Sequence, residues 1–322
     1  MLSVICPVFN AEPRLLELAI ASVQREAAAA KVPAEVILVD DGSSRDDTRA
    51  MLAALGGREG LVLLRPGRNA GPAAARNLGI AAARGAWLGF LDADDLWLPG
   101  GLAAARPWMA EADTAWLLGR HALLRPDGLH ASPSLATALG VTPPRMVGGR
   151  ALTRCLIGNS WIHLGAMLLR RDLARRAGGF AEGLYYSEDV LLAIRLSAIA
   201  PLRLLDADLY AWRRAGGGLT GSPARLTDRW LEFHRVAARD PLLRGFRREI
   251  RWARYAALKG LAKNNLLAGQ RGAGLRYALR AWAADPREWR DFAHFLALLR
   301  QGEAADASGY SRAETFTPRS QP

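Results

Sequence analysis

The chain has 322 residues, of which half are hydrophobic and 23% charged, with a formal charge of +12. Such a length holds one large α/β domain with an appendage, and such an apolar content excludes a mostly disordered chain. Two cysteines, Cys6 and Cys155, are too few for a disulfide framework and point to a reducing compartment.

The first strand-like run begins at the initiator Met with no basic segment before it, so no cleaved signal peptide is expected. Apolar runs at 2–9, 35–39, 61–64 and 86–91 alternate with helical patterns at 14–30, 46–55 and 72–84. That rhythm predicts parallel βαβ units. Open parallel sheets bind ligands beyond the carboxyl ends of their strands, so the polar residues that close these runs are the place to seek chemistry.

The first run closes on Cys6-Pro7-Val8-Phe9-Asn10. Pro7 removes a donor and the Phe9 ring can stack a nucleobase, although the same turn can be purely structural. The second closes on Asp40-Asp41-Gly42-Ser43-Ser44, where two carboxylates can accept from a base imide or ribose hydroxyls, or one of them can cap a helix. Residues 69–79 read as a glycine turn, a proline at the first helical position and a small-residue helix face. The helix N-terminus attracts a diphosphate, while Arg76 either reaches the ligand or braces the acidic edge. The fourth run ends in Leu91-Asp92-Ala93-Asp94-Asp95, alternating carboxylates that suit a hard cation, Mg²⁺ or Mn²⁺. An Asx-type turn is the alternative, set against the repulsion among three adjacent acids.

Beyond residue 99 the pattern loosens, with strands expected near 114–124 and 163–169 and a helix over 188–199. The longest uncharged apolar stretch, 155–169, is interrupted by Asn159, Ser160 and His163 and is too short for a bilayer span. No transmembrane helix is expected. Gly216, Gly217, Gly218, Gly221 and Pro223 form a breaker cluster and mark a boundary. Residues 223–300 then carry 17 Arg and Lys against 7 Asp and Glu, a net +10, while the first 222 residues are nearly neutral. From Gly302 the chain is polar and reads as a frayed tail.

Taken together, Val4-Ile5-Cys6-Pro7-Val8-Phe9-Asn10, Val39-Asp40-Asp41-Gly42-Ser43, Asn69-x-Gly71 through Ala75-Arg76-Asn77-x-Gly79, and Asp92-Ala93-Asp94-Asp95 resemble the inverting family 2 glycosyltransferases in order and spacing. Gly178-Gly179-Phe180-x-Glu182 and Ser187-Glu188-Asp189 look like that family's segment leading to its catalytic acidic pair. The resemblance covers about residues 2–220. It implies an α/β protein of GT-A fold, with a Rossmann-like, mostly parallel sheet flanked by helices over 1–222, in which 1–110 bind the nucleotide sugar and 111–222 face the acceptor. A basic helical region, 223–301, and a tail, 302–322, follow.

By that resemblance Phe9 and Asp41 hold the nucleobase with Asp40 in support, and Pro7, Asn10 and Arg76 belong to the same nucleotide site. Asp92 meets the ribose, and Asp94 the Mn²⁺ or Mg²⁺ that bridges the diphosphate. Asp189, or in its place Glu188, is the general base. The competing reading of that pair is an acidic first helical turn after an N-cap at Ser187. The segment Trp212-Arg213-Arg214 only loosely resembles the family's late diphosphate or acceptor segment, which places Arg213 and Arg214 there. The implied partners are a nucleotide diphosphate sugar, UDP by family habit, and a glycan or lipid-linked acceptor.

A nonenzymatic basic module that binds nucleic acid or a membrane surface through its C-terminal region is the competing class. It leaves the acidic strand ends unexplained, and no nucleic acid is expected as a partner. An NAD or SAM Rossmann protein would need a glycine-rich turn after the first strand, where this chain has Pro-Val-Phe-Asn. In 271–300, Leu275, Ala278, Leu279 and Trp282 share a helix face, and Phe292, Phe295, Leu296 and Leu299 repeat the spacing. Either these faces pack inward, or the Arg surface, with Trp230, Trp252 or Trp289, holds a cytoplasmic enzyme on the anionic inner face of the membrane.

Overall fold

The computed structural model describes residues 1–158, 162–184, 186–213 and 223–288, the side chains of 223–230 excepted. The chain divides into two compact units, Met1–Leu156 with Ser160–Gly221, and Ile157–Asn159 with Ser222–Pro322.

The first unit opens with β1 (Leu2–Val8), α1 (Pro13–Ala29), β2 (Ala34–Asp40), α2 (Asp46–Leu55), β3 (Leu61–Leu64), α3 (Pro72–Ala82) and β4 (Trp87–Phe90). The predicted alternation of strand and helix is therefore present. It continues through β5 (Leu96–Trp97), α4 (Gly101–Met109), β6 (Trp116–Arg125), β7 (Gly128–Ala131), α5 (Leu135–Leu139), β8 (Arg145–Val147) and α6 (Gly149–Gly158). After a short 3-10 turn at Leu164–Ala166 come β9 (Met167–Arg170), α7 (Arg171–Arg176), α8 (Glu188–Ile199) and β10 (Leu202–Arg213). One sheet runs in the order β3-β2-β1-β4-β9-β6-β10-β5, with β7 beside β6 and β8 beside β10. β1, β2, β3 and β4 pair parallel, and the sheet turns mixed from β9 onward.

Local chemistry sets these elements. Helix α1 starts at Pro13 and is capped by Glu12, whose carboxylate accepts from the N–H groups of Arg14 and Leu15 at 3.1 and 2.9 Å. It buries Leu16, Ala19, Ile20, Val23 and Ala27, the apolar stripe of a surface helix. Helix α3 lies hard against β1, since a Cβ at Gly79 would come within 2.4 Å of the Ile5 side chain. The small residues of 72–79 thus bring a helix N-terminus close to the sheet edge.

The chain leaves β1 toward β2 on one side and returns to β4 on the other, so the sheet order reverses between β1 and β4. Ligand crevices form at such a point. Pro7 widens it. Ile5 faces β4 and accepts there from Leu91 N–H, so the odd-numbered Pro7 points the same way, beyond the last β1–β4 partners, Ile5 and Phe90. A missing N–H at that position breaks no ladder bond.

In the second unit, α9 (Pro223–Arg239), α10 (Arg247–Leu267) and α11 (Arg271–Ala284) follow one another. Leu231, Tyr255, Leu258 and Ala281 form one apolar cluster, and Ala262 and Ala278 another. Helix α11 buries Gly274, Ala278 and Ala281. The face expected to carry Leu275, Ala278, Leu279 and Trp282 is thereby corrected: the buried stripe is rotated, and Leu279 and Trp282 are 45% and 42% exposed. The cause is close approach, since a Cβ at Gly274 would meet the Leu266 side chain at 2.4 Å, so small residues take the contact. Trp289, Phe292, Phe295, Leu296 and Leu299, and the side chain of Trp230, lie outside the described residues. Among the described residues no helix is long and apolar enough to cross a membrane.

Candidate active site

At the β1 end, Phe9 is 53% exposed, with its ring available at the crevice edge. Asn10 follows with φ 51° and turns its side chain to the neighbouring loop. Its Oδ1 accepts from the N–H groups of Ser44 and Arg45 at 2.7 and 2.9 Å, so Asn10 orders the segment after β2. Asp40 Oδ1 accepts from Ser43 N–H at 2.9 Å, and Arg65 Nε lies 3.7 Å from its Oδ2. A cavity of about 500 Å³ opens beside it, lined by Asp40, Asp46, Arg49, Ala50, Ala53 and Arg65. Asp41 is buried, and its two oxygens accept from the N–H groups of Ala70 and Gly71 at 2.8 and 2.9 Å. Asp41 therefore holds the glycine turn that starts α3, and a nucleobase imide would share an oxygen already engaged.

Arg76 stands where α3, the acidic loop and α8 meet. It is only 6% exposed. Its Nη2 donates to Asp92 Oδ1 at 2.8 Å and its Nη1 to Glu188 Oε1 at 2.6 Å, so this arginine braces the acidic edge. Phe180 lies beneath the guanidinium at 5.5 Å and meets Phe90 edge-on at 5.4 Å. The two anions hold the guanidinium charged despite its burial. The pairing joins Asp92, after β4, to Glu188, at the start of α8, across 96 residues of chain.

Asn77, one residue on, clamps the segment leading to α8. Its Oδ1 accepts from Phe180 N–H at 2.8 Å, and its Nδ2 donates to Phe180 O and Glu182 Oε1 at 3.0 and 2.9 Å. Gly179, with φ 64°, permits the fit, since a Cβ there would sit 2.6 Å from Asn77 Oδ1. Ser187 occupies the N-cap position with φ 61° and makes no side-chain capping bond. The carboxylate at the helix start is instead Asp189, which accepts from Val190 N–H at 2.8 Å. Burial, and then the neighbouring Glu188, push Asp189 up to about 7, while Arg76 pulls the other way. A carboxylate poised near neutrality can take a proton at physiological pH.

The acidic loop is held from the far end of the unit. Tyr210 on β10 donates its hydroxyl to Asp95 Oδ2 at 2.8 Å and accepts from Asp92 N–H at 3.0 Å. Arg213 donates its backbone N–H to Asp95 Oδ1 at 2.6 Å and its Nε to Asp94 O at 2.8 Å. Arg214 lies outside the described residues. Burial, then Asp92, push Asp95 up to about 8. Asp94 is exposed, yet the protein around its carboxylate removes enough water, and Asp92 adds enough like charge, to hold it above the usual carboxylate range.

The sequence assigned no role to His163, His121 or Tyr210. The His163 ring lies over those of Tyr210, His121 and Trp212, at centroid distances of 4.7, 5.1 and 5.6 Å. Burial pushes His163 down to about 4, so it stays neutral. Its Nδ1 accepts from Gly165 N–H at 3.2 Å, which puts the ring proton on Nε2. The signal available in the sequence was the run Leu209-Tyr210-Ala211-Trp212, aromatic and apolar, closing on Arg213.

The site thus gathers at the carboxyl end of β4 an exposed aspartate, an arginine-linked acidic pair and a carboxylate poised near neutrality. Residues 3–173 match the family described as Glycosyl transferase family 2. The succinoglycan biosynthesis protein ExoU of Rhizobium meliloti (strain 1021) is 29% identical over 283 residues, 86% of this chain and 74% of that protein. The uncharacterized glycosyltransferase EpsJ of Bacillus subtilis (strain 168) is 26% identical over 83% of this chain and 73% of its own. In fold the chain is similar to residues 1–349 of S. aureus TarS in complex with UDP-GlcNAc, with a TM-score of 0.64 and 18% identity over 92% of this chain and 90% of that one. A family match across more than half the chain, on the fold and acidic edge described above, makes this protein a member of glycosyl transferase family 2.

Proposed function

We propose that the protein transfers a hexose from a nucleotide diphosphate sugar, UDP in the first instance, to an acceptor hydroxyl with inversion, in the building of a surface or exported polysaccharide. The observation that carries this reading is the Arg76 bridge, which draws Asp92 of the donor loop and the Glu188–Asp189 pair to one crevice. Similarity to ExoU, named for succinoglycan biosynthesis, supports the polysaccharide context, and the UDP-GlcNAc bound to TarS supports the donor class.

In this reading Asp189 takes the acceptor proton as the hydroxyl oxygen attacks the anomeric carbon, and the nucleoside diphosphate leaves on the opposite face. One displacement inverts the centre, with no covalent sugar intermediate. Phe9 and Asp41 hold the base with Asp40 in support, Asp41 also anchoring the adjoining turn, and Asp92 meets the ribose. Asp94 fits a hard divalent cation: it is an exposed oxygen donor at the sheet edge, close to a second carboxylate at Asp92. Asp95 is spoken for by Tyr210 and Arg213, and Asp92 Oδ1 by Arg76, so Asp94 would hold the metal together with the donor's own phosphates. Mn²⁺ or Mg²⁺ bound there supplies charge neutralisation for the departing diphosphate.

A thermal-shift panel of UDP, GDP, dTDP and CMP sugars, each with Mn²⁺ and with chelator, tests the donor. A ligand at 100 times its dissociation constant stabilises by about 2.7 kcal/mol, a readable shift. Stabilisation by a UDP sugar that chelator abolishes is expected; no shift with any nucleotide contradicts the reading.

The second unit supports attachment of this cytoplasmic enzyme to the membrane's inner face. Exposed Leu279 and Trp282 on α11 and Trp252 on α10 occur with exposed Arg271, Arg276 and Arg280. Basic groups near an anionic surface contribute about 1 kcal/mol each. The full-length protein is expected to sediment with anionic vesicles and not neutral ones, less so as salt rises. The combined Arg276→Glu and Arg280→Glu variant should lose this, and equal binding by that variant would reject the membrane role.

A further inference from the structure

We propose that Tyr210 is a positioning residue for glycosyl transfer, its hydroxyl latching the Asp92–Asp95 loop so that Asp92 and Asp94 face the donor while Asp95 serves only as the latch's anchor. The proposal rests on the family reaction taking place at this crevice.

The acidic loop leaves the sheet at the end of β4 and re-enters it at β5, where Leu96 pairs with Ala211 and Trp97 with Tyr210 in antiparallel register. Between those fixed ends, residues 91–95 carry three acids. Left alone, like charges at such spacing would spread the loop. Strand β10 supplies three donors against that tendency: the Tyr210 hydroxyl and Arg213 N–H to the two oxygens of Asp95, and Arg213 Nε to Asp94 O. The same tyrosine oxygen accepts from Asp92 N–H, so one hydroxyl fixes both the first and the last acid of the loop.

The hydroxyl has one place to be. Gly165 lies flat on the ring, where a Cβ would come within 2.0 Å of Cε2, and His163 covers it at 4.7 Å. Tyr210 and Asp95 are fully buried, and a buried hydroxyl or carboxylate is tolerated only when its hydrogen bonds are made. Asp95 has spent both oxygens on β10, which removes it from the ligand-facing set. A motif of three acids is thereby divided by structure into two that meet the ligand and one that meets the protein. The ring ties that division to the His163–Gly165 turn, in the half of the unit expected to face the acceptor.

Tyr210→Phe deletes the hydroxyl and keeps the ring packing. In the full-length protein, deuterium exchange at the Asp92 and Arg213 amides should quicken by about tenfold, the equivalent of one hydrogen bond, while β4 stays protected. The dissociation constant for UDP in the presence of Mn²⁺ should rise by about tenfold, with a higher Mn²⁺ requirement. Asp95→Ala should reproduce both effects. Asp95→Asn should lose less than Asp95→Ala, since its amide oxygen can still accept from Arg213 N–H, while its NH₂ meets the tyrosine oxygen and leaves the hydroxyl proton without its acceptor. A merely structural Tyr210 would lower the melting temperature and leave UDP affinity and Mn²⁺ requirement where they were, which overturns the proposal. Loss of UDP affinity in Asp95→Asn as deep as in Asp94→Asn would also overturn it, by making Asp95 a charge-bearing ligand. If the wild type binds no UDP, the donor reading fails, and amide exchange alone still decides the latch: faster exchange supports it and equal exchange ends it.

Discussion

Asp189→Asn is expected to bind the donor nucleotide as the wild type does and to lose transfer by about 10²–10⁴-fold, the usual worth of a placed general base. The amide keeps the shape, and its oxygen can still accept from Val190 N–H, so α8 keeps its first turn. What it cannot do is take a proton. Since Asp189 is pushed up to about 7 and acts in its deprotonated form, wild-type turnover should rise with pH through about 7 and level off above it. The variant should lack that limb. Glu188 is the poorer base, because its Oε1 is already engaged by Arg76 Nη1 at 2.6 Å. Glu188→Gln should therefore act through Arg76, weakening donor affinity as Asp92 loses its brace. If Glu188→Gln instead removes turnover while Asp189→Asn stays active, the two roles are exchanged.

The dependence on Arg76 shows where sequence reasoning reached and where it stopped. Helix α2, strand β3 and helix α8 lie at their predicted residues, 46–55, 61–64 and 188–199, because apolar periodicity and glycine turns are local signals. Long-range partners leave no such trace. The sequence placed Arg76 near the acidic edge and left open whether it reached the ligand or braced that edge; its partner Glu188, 112 residues away, left no local trace. By residue type Asp40 and Asp41 are alike, and only the family resemblance ranks Asp41 first. Strand alternation separates them, one beside Arg65 at a cavity and the other turned to the backbone of 70–71.

Strand β10 was not legible. Its apolar run is broken by Arg203, Asp206 and Asp208, and its pairing with β6 shifts register between Leu204 and Tyr210, so no clean alternation survives. With the strand went Tyr210, and with Tyr210 the reason Asp95 differs from Asp94. The second unit misled in another way. On α11 the largest apolar side chains marked a plausible packing face, yet Gly274, Ala278 and Ala281 do the packing. Close helix approach selects small residues, and hydrophobicity alone does not report that.

Asp94→Ala is expected to remove cation-supported transfer, by about 10²–10³-fold, the several kcal/mol a metal contributes to leaving-group stabilisation. The argument begins with what the other acids cannot do. Asp95 is enclosed by Tyr210 and Arg213, and Asp92 gives an oxygen to Arg76, whereas Asp94 stands exposed with its carboxyl held above the usual range. Removing that carboxylate takes away one of two adjacent like charges, so the fold should lose nothing and the melting temperature should hold or rise. Affinity and chemistry should therefore fall while stability does not, which separates a ligand role from a packing role. UDP should bind the variant equally with Mn²⁺ and with chelator, where the wild type should distinguish the two. Wild-type transfer that ignores chelator, or an Asp94→Ala enzyme that transfers at the wild-type rate, would remove the metal from the mechanism and leave Arg213, whose Nε already lies on Asp94 O, as the cation at the departing diphosphate.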